Sequence, residues 1–543
     1  MKKLTLLLLL LLTGYVALGF LKPGHEWGGD FSLYIRQAQS LSSGQMERVA
    51  SETRFMIDNS TDHTFSPAAY PWGFPLLLWP VVGSDNSTDG FHAPTLNELA
   101  RMKHLVILCF LGFMLFYACW TRHYLGGWVS LLLTGFVTLQ QIFMENMNHI
   151  LAEIPYMCFL MASMLAIDHL IRLWNRFGSD SGSTPSARRQ YKIALITPFC
   201  TGILLLFTAQ IRTEGFLLFG ALAAAQGVAL WQRRKSGGRL SSADWLFMGI
   251  PYAGAALSLG VWSAVLPSGF LSHLDHATLI SMATLERNAR ALFNGLGGYL
   301  PLPFLLMKIF FAGTVCIGWA RNFVRDVAPA LLLASTIGLF LLWPHYEERY
   351  LFSIFPFAAF FFVRGLESVG SVPAWLWQKI VKRKVAAGTT SGTRTGVATT
   401  LLTPFFLIQV LFGISMIFWH QSRTPQMLSG PCTPNSSEMF DYIRQNTAPT
   451  DVVAFFRPRV MCLFAQRRSL ALFGDFSDVA QKAQWYVVTL YKGTFYQFDE
   501  AGLARYSRYL SEVFRNESFV VFQVVPNPPD PSESALTIRA LEH

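Results

Sequence analysis

"MKKLTLLLLLLLTGYVALGFLK", residues 1–22, decides what kind of chain this is. Two lysines precede Leu4 to Leu21, a stretch without a charge. A basic start before an apolar core also fits a signal peptide, but no A-x-A cleavage site follows. About 20 apolar residues cross a bilayer, so the segment is read as an uncleaved first span. The rest of the chain agrees. Of its 543 residues 52% are hydrophobic and 14% charged, where a soluble protein carries about 25% charged residues.

Eleven spans are predicted, near 4–21, 104–120, 124–144, 153–171, 193–211, 214–231, 244–265, 299–319, 327–343, 348–364 and 399–419. Lys and Arg favour cytoplasmic loops. With the N-terminus inside, that side receives Lys2, Lys3, the Arg188–Arg189 and Arg233–Lys235 clusters and Lys382–Lys384, among others. The short outside loops hold only Arg212, Arg287, Arg290 and Arg349. The net charge of +10 is therefore an orientation signal rather than a nucleic-acid surface, and no nucleic-acid partner is expected. Seven cysteines form no C-x-x-C pair, which excludes zinc-ribbon and redox readings. Cys109, Cys119, Cys158, Cys200 and Cys316 fall in apolar segments. Cys432 and Cys462 lie in the polar tail, where either a disulfide or two free thiols fits.

The predicted fold is a polytopic α-helical membrane protein of about 11 transmembrane helices with a C-terminal extracytoplasmic α/β domain. Residues 1–420 form the membrane domain, with a long first outside loop at 22–103, and residues 421–543 form the soluble domain. In that tail DVVAFF, WYVVTLY and FVVFQVV read as strands. SSEMFDYIRQNTA reads as a helix with Met439, Phe440 and Ile443 on one face. Residues 385–397, VAAGTTSGTRTGV, read as a cytoplasmic loop. No internal repeat is visible, which counts against a transporter of two related halves.

In the first loop, "HEWGGDFSLYIRQAQSLSSGQ", residues 25–45, sets Asp30 at the head of an amphipathic helix. Phe31, Tyr34, Ile35, Ala38 and Leu41 share one side and Gly44 is a stop, the pattern of a helix lying on a membrane surface. Asp30 reads either as an N-cap or as a general base at that surface. "AAYPWGFPLLLWP", Ala68 to Pro80, has too many prolines for a regular helix. Glu153 opens a span in "ENMNHILAEIPYMCFL", with Pro155 in the first turn. "QIRTEGFLLFG" puts Arg212 and Glu214 in a short outside turn. "LWPHYEERYLFSIFPF" gathers His345, Tyr346, Glu347, Glu348, Arg349 and Tyr350, where an arginine suits a phosphate. Lys308 is expected several residues inside the eighth span, where a charge usually faces a cavity. His273, Asp275 and His276 are metal-ligand types at irregular spacing; no metal site or cofactor is established, and a divalent cation is the one candidate. There is no Walker A loop, G-x-G-x-x-G or D-x-D, so a soluble nucleotide donor is not indicated and a lipid-borne one is.

Taken in order, GGDFSLYIRQAQSLSSG, YPWGFPLLLWP, AEIPY, RTEG and EERYLFSIFPF resemble the GT-C superfamily of membrane glycosyltransferases. The likeness is to polyprenyl-phosphate-sugar-dependent transferases related to protein O-mannosyltransferases and the aminoarabinose transferase of lipid A. It runs over about 1–365, and the tail resembles the extracytoplasmic domain of some members. Relatives often carry two adjacent acids where Phe31 follows Asp30 here. The resemblance implies a transferase in a bacterial inner membrane, with its site on the periplasmic side. It would use a polyprenyl-phosphate sugar donor and an acceptor (lipid, glycan or protein) that the sequence does not name. Catalytic Asp30 would deprotonate the acceptor, and Glu153 would orient acceptor or sugar. Arg349, with Lys308 and Arg212, would hold the phosphate, and Glu214, His345, Tyr346 and Tyr350 would line the substrate site. The competing reading is a polytopic transporter or lipid flippase.

Overall fold

Among the described residues the long apolar stretches form helices. In the computed structural model the described residues are 2–61, 67–83, 90–177, 185–238, 240–267, 281–299, 305–343, 347–381, 411, 415, 429–472, 476–490 and 500–525. They fall into two units. The first comprises Met1–Leu21, His104–Val265 and Leu274–Thr424; the second comprises Lys22–Lys103, Leu266–His273 and Pro425–His543.

In the first unit the opening stretch is the Lys2–Gly19 helix. Gly126, at φ 75°, separates Leu96–Leu125 from Gly127–Thr138; a side chain at that φ would be strained. Glu153–Phe177 starts with an acid in its first turn, favourable to the helix dipole. Arg212 has extended backbone (φ −146°, ψ 138°) and parts Pro185–Ile211 from Thr213–Phe216 and Leu217–Lys235. Ser242–Val265, Met282–Tyr299, Leu305–Asn322, Val327–Leu342 and Phe355–Val381 follow. Leu305–Asn322 and Phe355–Val381 touch backbone to backbone. A Cβ on Gly318 would lie 2.0 Å from the Phe361 carbonyl oxygen, and one on Gly365 would lie 2.0 Å from that of Thr314.

Among the described residues, four helices are long and apolar enough to cross a membrane: Leu96–Leu125, Glu153–Asn175, Thr213–Lys235 and Ser242–Val265. Lys3–Gly19, Gly127–Thr138, Leu195–Ile211 and Val327–Leu342 are shorter apolar helices. The chain is a helical integral membrane protein. The count of eleven spans goes beyond these helices; the expected span at 399–419 and the loop at 385–397 lie outside the described residues, except for Leu411 and Ser415. The expected span 124–144 is broken, because its helix ends at Thr138 and a separate short helix spans Gln141–Asn146.

The second unit holds a five-stranded sheet of β1 (Val452–Ala454), β2 (Arg468–Leu470), β3 (Trp485–Thr489), β4 (Leu510–Arg515) and β5 (Phe519–Val524), in the order β2-β1-β3-β5-β4. β1 runs parallel to β2 and β3, and β5 antiparallel to β3 and β4. The three expected strands are β1, β3 and β5. The two unforeseen ones are the sheet's edges, one of three residues and one rich in polar residues. The expected helix is Pro434–Asn446, with Met439, Phe440 and Ile443 buried.

The sequence groups loop 22–103 with the spans, whereas the structure packs it with the tail. Trp27 sits among Phe440, Phe455, Phe456 and Phe519, with ring centroids 5.1 to 6.3 Å away. Just past β2, the Thr61 N–H donates to the Ala471 carbonyl at 3.0 Å, and the Ala471 N–H donates to Ser60 Oγ at 3.0 Å. Burial of these aromatics favours this packing at roughly 25 cal/mol per Å² of apolar surface. Cys432 and Cys462 are free thiols. Burial pushes Cys462 up to about 11 and raises Cys432 as well, so both stay protonated at neutral pH.

Candidate active-site residues

In the second unit the opening motif forms the helix Asp30–Ser43, with Gly29 at the N-cap. Gly44, at φ 68°, is the stop, its N–H donating to the Ser40 carbonyl. The expectation of a surface helix is corrected: every residue from Phe31 to Ser40 is buried, the polar ones included. Their polar groups find partners, as buried groups must. Arg36 pairs with Glu52 at 2.6 Å. Burial works against the charged form of Glu52, but the Arg36 charge and hydrogen bonds from Arg36 and Arg48 outweigh it and hold its carboxyl below the usual range. Gln39 donates to the His92 carbonyl at 2.9 Å.

Gln37 holds the backbone of Tyr70. Its amide donates to the Tyr70 carbonyl at 2.9 Å and accepts from the Tyr70 N–H at 3.1 Å. This two-point clasp sets Tyr70 beside the first turn. The Tyr70 hydroxyl donates to Asp30 Oδ1 at 2.6 Å. Arg459, from the Pro458–Phe464 helix, donates to the Tyr70 hydroxyl at 3.0 Å and to the Pro67 carbonyl at 3.1 Å. The same guanidinium lies 3.7 Å from Asp30 Oδ1 and 5.3 Å from the centroid of the Tyr70 ring. The Asp30 side chain keeps 26% of its surface exposed, against 5% for Arg459. Asp30 is thus a carboxylate held by a phenol and a guanidinium that still reaches solvent. Such a group can take a proton from a ligand.

In the first unit Glu153, Arg212, Glu214, Glu347, Arg349 and Tyr350 come together. Glu153 pairs with Arg212 at 2.5 Å and with Arg349 at 3.4 Å. Arg212 also grips Glu214 through Nε at 3.1 Å and Nη2 at 2.7 Å, and Arg349 pairs with Glu347. The two guanidiniums lie 5.4 and 5.7 Å from the centroid of the Tyr350 ring. The Glu153 side chain is 6% exposed and Glu347 48%. The Arg212–Glu214 pair is therefore part of a larger network in which Glu153 holds both arginines. Glu153→Gln keeps the shape and loses the charge facing them. It is expected to cost about 1.5–3 kcal/mol, the worth of hydrogen bonds to charged groups, read as a lower melting temperature of the detergent-purified protein. An unchanged melting temperature would mean that Glu214 and Glu347 alone suffice.

Lys308 lies in the helix described from Leu305 to Asn322 and is half-buried. His345 and Tyr346 lie outside the described residues, as do His273, Asp275 and His276. Among the described residues no three His, Cys, Asp or Glu side chains gather to hold a metal. Sequence reasoning missed Tyr70 and Arg459. Tyr70 stood in the quoted YPWG stretch. Arg459 showed only as a charge in an apolar run, FFRPRVMCLF.

No family model and no curated protein matches the chain. The chain shares its overall fold with solved structures. ArnT from Cupriavidus metallidurans bound to undecaprenyl phosphate is 12% identical, with a TM-score of 0.51 over 97% of this chain and 98% of that one. The same protein in the apo state is 12% identical, with a TM-score of 0.50 over 96% and 99%.

Proposed function

We propose that this protein is a membrane glycosyltransferase that moves a sugar from a polyprenyl-phosphate donor to an acceptor hydroxyl on the extracytoplasmic side of a bacterial inner membrane. The observation that carries the reading is the fold, shared along 97% of the chain with ArnT, a protein crystallised with undecaprenyl phosphate. In the proposed step the acceptor oxygen bonds to the anomeric carbon as the bond from that carbon to the phosphate oxygen breaks. The configuration inverts. The electron pair leaves with the polyprenyl phosphate, and the acceptor proton goes to Asp30 as general base. Polyprenyl phosphate is already a good leaving group and needs no strong acid.

Arg349 and Arg212 would stabilise its charge, since guanidinium forks suit phosphate oxygens; Lys308 has a weaker claim. With three carboxylates against two arginines in the network, an incoming phosphate has to displace one. The half-exposed Glu347 is the cheapest to release, because water re-solvates it. Glu153 would keep the arginines aimed, and through them the sugar. Lipid mass spectrometry of host membranes, with the gene deleted and then restored, tests the function. A polyprenyl-phosphate sugar should accumulate on deletion and fall on restoration. If no such lipid changes while the protein is made and folded, the transferase reading fails and a transporter takes its place.

A further inference from the structure

We infer that Arg459, brought by the Pro458–Phe464 helix of the tail, is a positioning residue for the Asp30 carboxylate, acting directly and through the Tyr70 hydroxyl. The inference rests on Asp30 being the base.

Three observations carry it. First, Arg459 is 5% exposed on its side chain, so its charge was taken out of water, which is costly without a partner. Second, its donors are divided between orientation and charge. Nη2 is anchored on the Pro67 carbonyl at 3.1 Å, which fixes the plane of the fork. Nη1 meets the Tyr70 hydroxyl at 3.0 Å and stands 3.7 Å from Asp30 Oδ1. Third, the Tyr70 hydroxyl donates a hydrogen bond to that same oxygen at 2.6 Å. A hydroxyl that accepts from a guanidinium is polarised and donates more strongly.

Oδ1 is thereby fixed, and the carboxylate is turned by two groups rather than one. Among the described residues, charged and titratable groups near Asp30 include Arg459 and Tyr70 in contact, and His25, whose ring stacks on neighbouring Phe31 at 3.8 Å. Of these, Arg459 carries the fixed positive charge, which keeps a general base ionised at lower pH.

The test uses full-length protein in membranes from the deletion host, which hold the accumulated donor lipid and the native acceptor. The loss rate of polyprenyl-phosphate sugars is followed by mass spectrometry across pH, alongside the melting temperature of each variant. Arg459→Gln should slow the loss about tenfold at neutral pH and move the acid limb of the profile up by about one pH unit. Arg459→Lys should return the limb toward wild type but only part of the rate, since an ammonium keeps the charge without the fork. Tyr70→Phe should also move the limb up. If Arg459→Gln slows the reaction equally at every pH, in step with lost folded protein, Arg459 is merely structural and the inference falls. In that case the base assignment still stands, provided Asp30→Asn is inert. If Asp30→Asn consumes the lipid as wild type does, the base assignment falls and takes the inference with it.

Discussion

Asp30→Asn is expected to abolish donor consumption, slowing it by about 10²–10⁴-fold, the range that a positioned general base contributes. The substitution isolates charge from shape. An asparagine oxygen still accepts from the Tyr70 hydroxyl, now 2.6 Å from Oδ1, so the clasp of Gln37 on the Tyr70 backbone has no reason to open. What is lost is the proton acceptor and the counter-charge to Arg459. Because the Asp30 side chain is 26% exposed, water compensates part of that charge loss, and the fold should survive. Lipid mass spectrometry in the complemented deletion host reads the activity, and the melting temperature reads the fold. Wild-type consumption by a folded Asp30→Asn protein would return the residue to a helix-terminal role.

How much of this was legible in the sequence depends on how far apart the partners lie. The start of the 30–43 helix, its Gly44 stop, the Glu153 helix start and the Arg212 turn are set by residues within a turn of one another, and local patterns showed them. The burial of that helix was not legible. Arg36, Gln37 and Gln39 occupy the polar side of the helix, and nothing local to them names a partner. They are instead satisfied by Glu52, Tyr70 and His92, up to 53 residues away. Arg459 meets Tyr70 across 389 residues, a contact that no periodicity carries. The edge strands escaped for another reason. A strand with one neighbour needs no two-faced apolar pattern and is safer with charges, as Glu512 and Arg515 show in β4. At the Glu153 network the sequence supplied the charges but not the pairing, because opposite charges at the ends of different helices fit several arrangements.

Arg364→Met is expected to give the largest loss of stability, about 3–5 kcal/mol, the cost of leaving one half of a buried ion pair behind. Asp326 is 0% exposed and Arg364 4%. Arg364 donates through Nε to Oδ2 at 3.0 Å and through Nη2 to Oδ1 at 3.4 Å. Its third arm meets Glu367 at 3.2 Å, and its plane lies 5.5 Å from the Phe360 ring centroid. Two effects compete. Desolvating both ions costs as much as their attraction returns, so the intact pair adds little over an apolar pair of the same volume. Removing one partner ends the attraction and keeps the desolvation of the other. Arg325, 3.9 Å from Asp326 but 70% exposed, is too well hydrated to replace Arg364. The Arg364→Met/Asp326→Leu double variant should therefore melt closer to wild type than Arg364→Met alone. That ordering separates the stranded charge from the lost packing, since both variants lose the same arginine contacts. A single-variant loss below about 1 kcal/mol, the worth of a surface pair, would mean that water reaches Asp326 once the arginine is gone.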